Sequence, residues 1–107
     1  MDKVLRLLGL AYKAGKVVSG EFATEQLIKS GKAGLVIVAG DASENTKKLF
    51  RDKCAHYHTK LRIYADREKL GKAIGKEFRA SVGIKDEGFS KELDQQIRAM
   101  EVEHIES

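Results

Sequence analysis

The stretch "GLVIVAG", Gly34 to Gly40, decides how this chain folds. Five apolar residues, three of them β-branched, stand between two glycines. The run is too short for a free-standing helix and lacks the alternation of a strand with one wet face, so it reads as a strand buried on both faces. Such a strand needs a layer over each side, which places helices above and below the sheet that contains it.

The flanking sequence supplies those helices. Upstream, Val4, Leu5, Leu7, Leu8, Ala11 and Tyr12 repeat at helical spacing, with Asp2 able to cap the start and Gly15 to end it. Val17-Val18 is a very short strand. A second helix is expected to begin at Ser19 as N-cap, to carry Glu21 in its first turn where the dipole favours it, and to stop at Gly31. Its apolar side is Phe22, Ala23, Leu27 and Ile28. Downstream, Ser43 caps a helix with Thr46, Leu49, Phe50, Cys54 and Tyr57 along one face, and "KLRIYA" alternates like a strand near an edge. Asp66 caps a helix whose inner side is Leu70, Ala73 and Ile74. "RASVGI", Arg79 to Ile84, is the last strand, and a turn at Gly88 leads to a closing acidic helix at about 89–107 with Phe89, Leu93, Ile97 and Met100 inward. The expected fold is therefore α/β, a three-layer α-β-α sandwich around a mixed four-stranded sheet. Neither proline nor an internal repeat marks a linker, and the 107 residues, 42% hydrophobic, suffice for one core and a single domain.

No apolar run reaches membrane-spanning length and no signal core is present, so a soluble, cytoplasmic protein is expected. A lone cysteine, Cys54, excludes an internal disulfide framework and fits a reducing compartment. Charge is unevenly divided: residues 1–85 carry 18 Lys+Arg against 9 Asp+Glu, and residues 86–107 carry 2 against 7. The basic body points to a polyanionic partner.

Wherever the strands run parallel, each strand-to-helix turn falls on one edge of the sheet, which would gather Ser19-Gly20-Glu21, Gly40-Asp41-Ala42-Ser43 and Ala65-Asp66-Arg67. Three helix starts with unpaired amides make an anion platform. Lys13 and Lys16 stand just upstream of the first turn, and Arg67 and Lys69 flank the third. Lys29 and Lys32 lie a helix length away, about 15 Å from Gly20, and extend the footprint without sharing its centre.

Catalytic readings are weaker. Asp41 ends a buried strand, as catalytic aspartates do in many α/β enzymes, but an Asp in a Gly-Asp-Ala-Ser turn is more often a local cap. Cys54, His56 and His58 suggest a metal or thiol site, yet on a helix His56 points away from the other two and only distant His104 remains as a fourth ligand. A buried thiol beside two surface histidines is the simpler reading, and no cofactor is expected. Neither a phosphate loop nor a Ser/His/Asp set can be assembled.

"SGEFATEQLIKSGKAGLVIVAGDAS" and "LGKAIGKEFRASVGI" together resemble the ribosomal protein L-seven-Ae family, which binds kink-turn RNA, and its small bacterial members above all. The resemblance runs from Asp2 to about Ile84. It implies a three-layer fold and RNA binding without catalysis. The family reads RNA with a glycine, any residue, asparagine, glutamate, two residues and lysine at the start of the second helix. Gly20 matches, whereas Phe22, Ala23 and Gln26 stand at the other three positions. The family's further contact, from the turn before the fourth helix, falls on Ala65-Asp66-Arg67, where Arg67 could stack on a base or pair with phosphate.

The expected function is a non-catalytic, monomeric binder of structured, kink-turn-like RNA, ribosomal or otherwise noncoding, using Lys13, Lys16, Ser19, Gly20, Glu21, Gln26, Asp41, Arg67 and Lys69. Two alternatives differ in kind: an adaptor within a ribonucleoprotein that docks through the acidic last helix, and a small-molecule enzyme using Asp41.

Overall fold

A computed structural model describes the backbone of residues 1–106 and the side chains of residues 1–102. Strand β2, Leu35–Val38, is buried at every position. Parallel β3, Leu61–Ile63, lies on one side of it, with Val36 opposite Leu61. Antiparallel β4, Ser81–Ile84, lies on the other, with Val36 opposite Gly83. Strand β1, Val17–Ser19, pairs antiparallel with β4, so the sheet order is β1-β4-β2-β3. The mixed four-stranded sheet is as expected, and "KLRIYA" does supply an edge strand.

Helices α1, Lys3–Lys13, α4, Arg67–Ala73, and α5, Glu87–Glu106, form one covering layer; α2, Glu21–Lys29, and α3, Glu44–His56, form the other. The core between the layers is filled by Leu8, Ile28, Leu35, Ile37, Phe50, Leu70, Ile84, Leu93 and Ile97, all fully buried. Asp2 fixes the start of α1: it accepts the Leu5 amide at 2.8 Å and the Tyr64 hydroxyl at 2.5 Å, which ties the helix to the end of β3. No helix among the described residues is long and apolar enough to cross a membrane.

Local expectations change at several points; Met100, expected inward on the last helix, is exposed. Ser19 is not the cap of α2: it stays in the sheet opposite Val82, and Gly20, at φ +94°, becomes the N-cap. The inward face differs as well. Thr24, Leu27 and Ile28, spaced three and four apart, become its inward face, and Phe22, half a turn behind Thr24, faces solvent with 75% of its surface exposed. Gly88 makes no turn; the Asp86 carboxylate accepts the Phe89 amide at 2.7 Å, so α5 already includes Gly88 in its first turn. The acidic end of α5 past Val102, and His104 with it, lies outside the described side chains.

Because β4 is antiparallel to both of its neighbours, β1, β2 and β3 all run the same way. Their C-terminal ends and the start of β4 share one rim. The opposite rim collects the approach to β1, the α2–β2 and α3–β3 turns and the end of β4.

Two contacts hold these rims in place. At the first, Gly71 of α4 lies so close to the incoming chain that a Cβ there would overlap the Glu77 carbonyl oxygen. At the second, Asp94 of α5 is buried, accepts from Arg62 Nε at 2.6 Å and lies 3.5 Å from Lys60 Nζ. The Arg62 guanidinium holds the Asp94 carboxyl below the usual carboxylate range.

Gly71→Ala is expected to cost about 3 kcal/mol, read as a lowered urea midpoint, because the 77–79 backbone must move to admit the methyl group. For Asp94 the native pKa lies under the unfolded value of about 3.9. Its contribution is therefore complete above about pH 4 and is lost as pH falls through the native value. Asp94→Asn should cost about 2 kcal/mol at neutral pH. The gap from the unaltered chain should narrow in urea titrations at about pH 3.

Candidate functional site

The first rim is organised around the start of α2. The Gly20 amide donates to the Ser81 carbonyl at 3.0 Å and the Gly20 carbonyl accepts from Thr24 N, also at 3.0 Å. Gly20 has no side chain to offer, so the amides of Glu21, Phe22 and Ala23 meet no hydrogen-bond acceptor among the described residues. At the other helices a side chain closes the first turn: Asp2 for α1, Ser43 to Thr46 N for α3, Asp66 to Lys69 N for α4 and Asp86 for α5. The expected platform of three open tips is thus reduced to one. Nor is the Gly20 amide itself available to a phosphate; the three amides after it are.

The three turns are nevertheless joined. Arg79 Nε donates to Ser19 Oγ at 3.1 Å, Arg79 Nη1 to the Phe78 carbonyl at 2.8 Å and Arg79 N to the Arg67 carbonyl at 3.0 Å. Arg67 N donates to Asp41 Oδ1 at 2.9 Å, and Arg67 Nε lies 3.4 Å from Asp41 Oδ2. Gly40 N donates to the Ala65 carbonyl at 2.8 Å. Ala65 holds φ +57°, a conformation uncommon for a residue with a side chain. Gly20 and Arg67 therefore sit on one rim, with Arg79 between them. The backbone bond from Arg67, helped by its guanidinium, keeps the Asp41 carboxyl below the usual range, so Asp41 is an ionised latch between two turns.

Arg79 was invisible as a site residue because it reads as the first residue of the last strand. The strand starts two residues later, which frees Arg79 to bridge the turns.

The remaining site candidates divide. Glu21 is exposed at the first position of α2. Gln26 is exposed one turn beyond Phe22, on the same side of α2. Phe22, expected inward for its hydrophobicity, is the large apolar group of this surface, and Phe78, next to Arg79, is also exposed. Lys69 turns toward α1, lining a groove with Met1, Asp2 and Leu5. Lys13 and Lys16 are at the opposite rim. The Lys16 carbonyl accepts from Lys85 N at 2.8 Å, beyond the end of β4, and the residues of β1 separate Lys16 from Gly20. Four extended steps put them about 13 Å apart. Closeness in sequence misled here, since an extended strand moves the chain from one rim to the other.

As it stands, the first rim offers three free amides able to hold a phosphate oxygen, an exposed ring able to stack on a base, and the Gln26 amide one turn along. Its charge is mixed, with two arginines, Arg67 and Arg79, beside three carboxylates, Glu21, Asp41 and Asp66.

The Cys54 region carries no such arrangement. Burial pushes the thiol up to about 11, too high for a reactive thiolate at neutral pH. His56 meets the Tyr57 ring edge-on at 4.8 Å, and His58 leaves the helix at φ +56°. Among the described residues no three His, Cys, Asp or Glu side chains are grouped to hold a metal ion.

Comparison with known proteins adds relatives to this geometry. The family model described as "Ribosomal protein L7Ae/L30e/S12e/Gadd45 family" matches residues 2–94. The RNA-binding protein YlxQ of Bacillus subtilis (strain 168) is 45% identical over 87 residues, covering 81% of this chain and 87% of its own length. The large ribosomal subunit protein eL30 of Yarrowia lipolytica is 36% identical over 95 residues, 83% of this chain and 84% of its own. Among solved structures, a protein of unknown function from Bacillus halodurans C superposes with a TM-score of 0.89 at 40% identity, covering 92% of this chain and 99% of the other. The Giardia lamblia 15.5kD RNA binding protein shares the fold, with a TM-score of 0.76 at 18% identity over 92% of this chain and 91% of its own.

Arg79→Ala removes the bridge between the turns without touching the core. It is expected to lower stability by about 1 kcal/mol. Amide hydrogen exchange followed by NMR should speed up at Gly20 and Thr24, the hydrogen-bonded amides of this turn, and leave β2 unchanged.

Proposed function

This chain belongs to the ribosomal protein L7Ae/L30e/S12e/Gadd45 family, and we propose that residues 1–107 act as one monomeric, non-catalytic RNA-binding unit whose target is a folded RNA with a sharply bent segment, ribosomal or otherwise noncoding. The observation that carries the reading is the start of α2, where open amides and the exposed Phe22 ring stand side by side. Folded RNA presents both complements at a bend, a crowded phosphate and a base turned out of its stack.

Residue chemistry refines the mode of reading. The family pattern has asparagine and lysine where this chain has Phe22 and Gln26, so the polar grip on paired bases is replaced by a ring and a neutral amide. Stacking on Phe22, with Gln26 reaching a base edge and the Glu21–Ala23 amides on phosphate, makes the recognition one of shape more than of base identity. The name of the Bacillus subtilis relative and the ribosomal names of the eL30 relatives support the partner class. Asp41 has a structural occupation in holding Arg67, which speaks against the enzymatic reading that relied on it.

A gel-shift titration against a kink-turn duplex and an unkinked duplex of the same composition tests this. The expected result is at least tenfold tighter binding to the kinked form. Phe22→Ala should weaken that binding by about tenfold, the scale of one lost base stack, with thermal stability unchanged because the ring is exposed. Binding to neither duplex would overturn the proposal.

A further inference from the structure

The rim opposite the α2 tip is the more basic of the two. Between the α2–β2 turn, the α3–β3 turn and the start of α5 lies an open groove of about 520 Å³, lined among others by Lys32, His58, Lys60, Lys85, Lys91 and Asp94. Its lysines come from four separate places in the chain. No carboxylate among the described residues lies within ion-pair distance of Lys32, Lys85 or Lys91. The two carboxylates in the lining are Glu87 and Asp94, and Asp94 is already engaged by Arg62 at 2.6 Å and Lys60 at 3.5 Å. Asp86, next along, caps α5. Lys16 adds to the same rim through its backbone bond to Lys85.

We infer that this groove is a second RNA seat, one that holds a phosphate backbone while the α2 tip reads the bend. The inference rests on the RNA-binding role proposed above and adds a site to it. A single phosphate cannot meet cations carried on four elements across an open groove, whereas a nucleic-acid backbone presents closely repeated charges. Apart from the His58 imidazole the groove has no exposed ring, and no uncapped helix start opens into it, so its lysines attract charge more than they read bases. The α2 tip, with its mixed charges, does the reverse. The two seats lie at opposite ends of the strands, so a bound RNA spans the sheet edge from rim to rim.

The test uses the full chain and the unkinked duplex as probe. In Lys32→Gln/Lys85→Gln/Lys91→Gln, the affinity at low salt should fall at least tenfold, and the slope of log K against log salt should become shallower by about two units. A control with the same loss of charge on α3 and α4, Lys48→Gln/Lys53→Gln/Lys72→Gln, should keep most of the slope. Thermal unfolding should match the parent in both, since all six side chains sit outside the core.

An unchanged slope in the groove variant, or an equal change in the control, would overturn the inference. So would poly-glutamate displacing the duplex as effectively as unlabelled duplex does, which would assign the groove to an acidic protein. The two proposals fail separately. Loss of the Phe22→Ala effect on kinked RNA strikes the α2 tip alone, and an unaltered salt slope strikes the groove alone.

Discussion

The antiparallel insertion of β4 between β1 and β2 is the constraint on which the rest of this molecule depends. β2 is buried on both faces and needs hydrogen-bond partners on both edges. Parallel β3 takes one edge; taking the other with β4 aligns β1 with β2 and β3. Three helix starts then meet on one rim without any contact between their side chains having to bring them there. The hydrogen bonds that Arg79 donates and Asp41 accepts lock an arrangement that strand direction has already imposed.

Much of this was legible because it rests on local pattern. The run from Gly34 to Gly40 could only be a buried strand, and Ser43 and Asp66 were recognisable caps because a short polar side chain stood just ahead of a helical period. What escaped notice depended on setting hydrophobicity above spacing or on distance between elements. Phe22 lies five and six residues from Leu27 and Ile28, off their helical face, while Thr24 lies three and four away and takes the core position; reading Phe22 as inward follows its hydrophobicity against the period. Lys13 and Lys16 were misplaced because sequence proximity says nothing about which end of a strand a residue occupies. Arg79 was missed because its partners, Ser19 and Arg67, are remote in the chain.

The charge division between body and tail pointed to a polyanion without saying where it would lie. In three dimensions a second division matters more. Unpaired lysines collect on one rim, while the other mixes arginines with Glu21, Asp41 and Asp66. In the proposed reading, affinity and discrimination fall at different ends of the same sheet, so that a change in one need not disturb the other.

The geometry of Gly20 carries an implication for how the α2 tip persists. The ordinary way to strengthen a helix start is to install serine or aspartate as its cap, but at φ +94° any residue with a side chain is strained, although open space surrounds the position. A mutation that would close the tip must therefore first bend the turn. Receptivity is written into the torsion angle itself, and drift toward a sturdier helix is discouraged by stereochemistry before selection on binding comes into play.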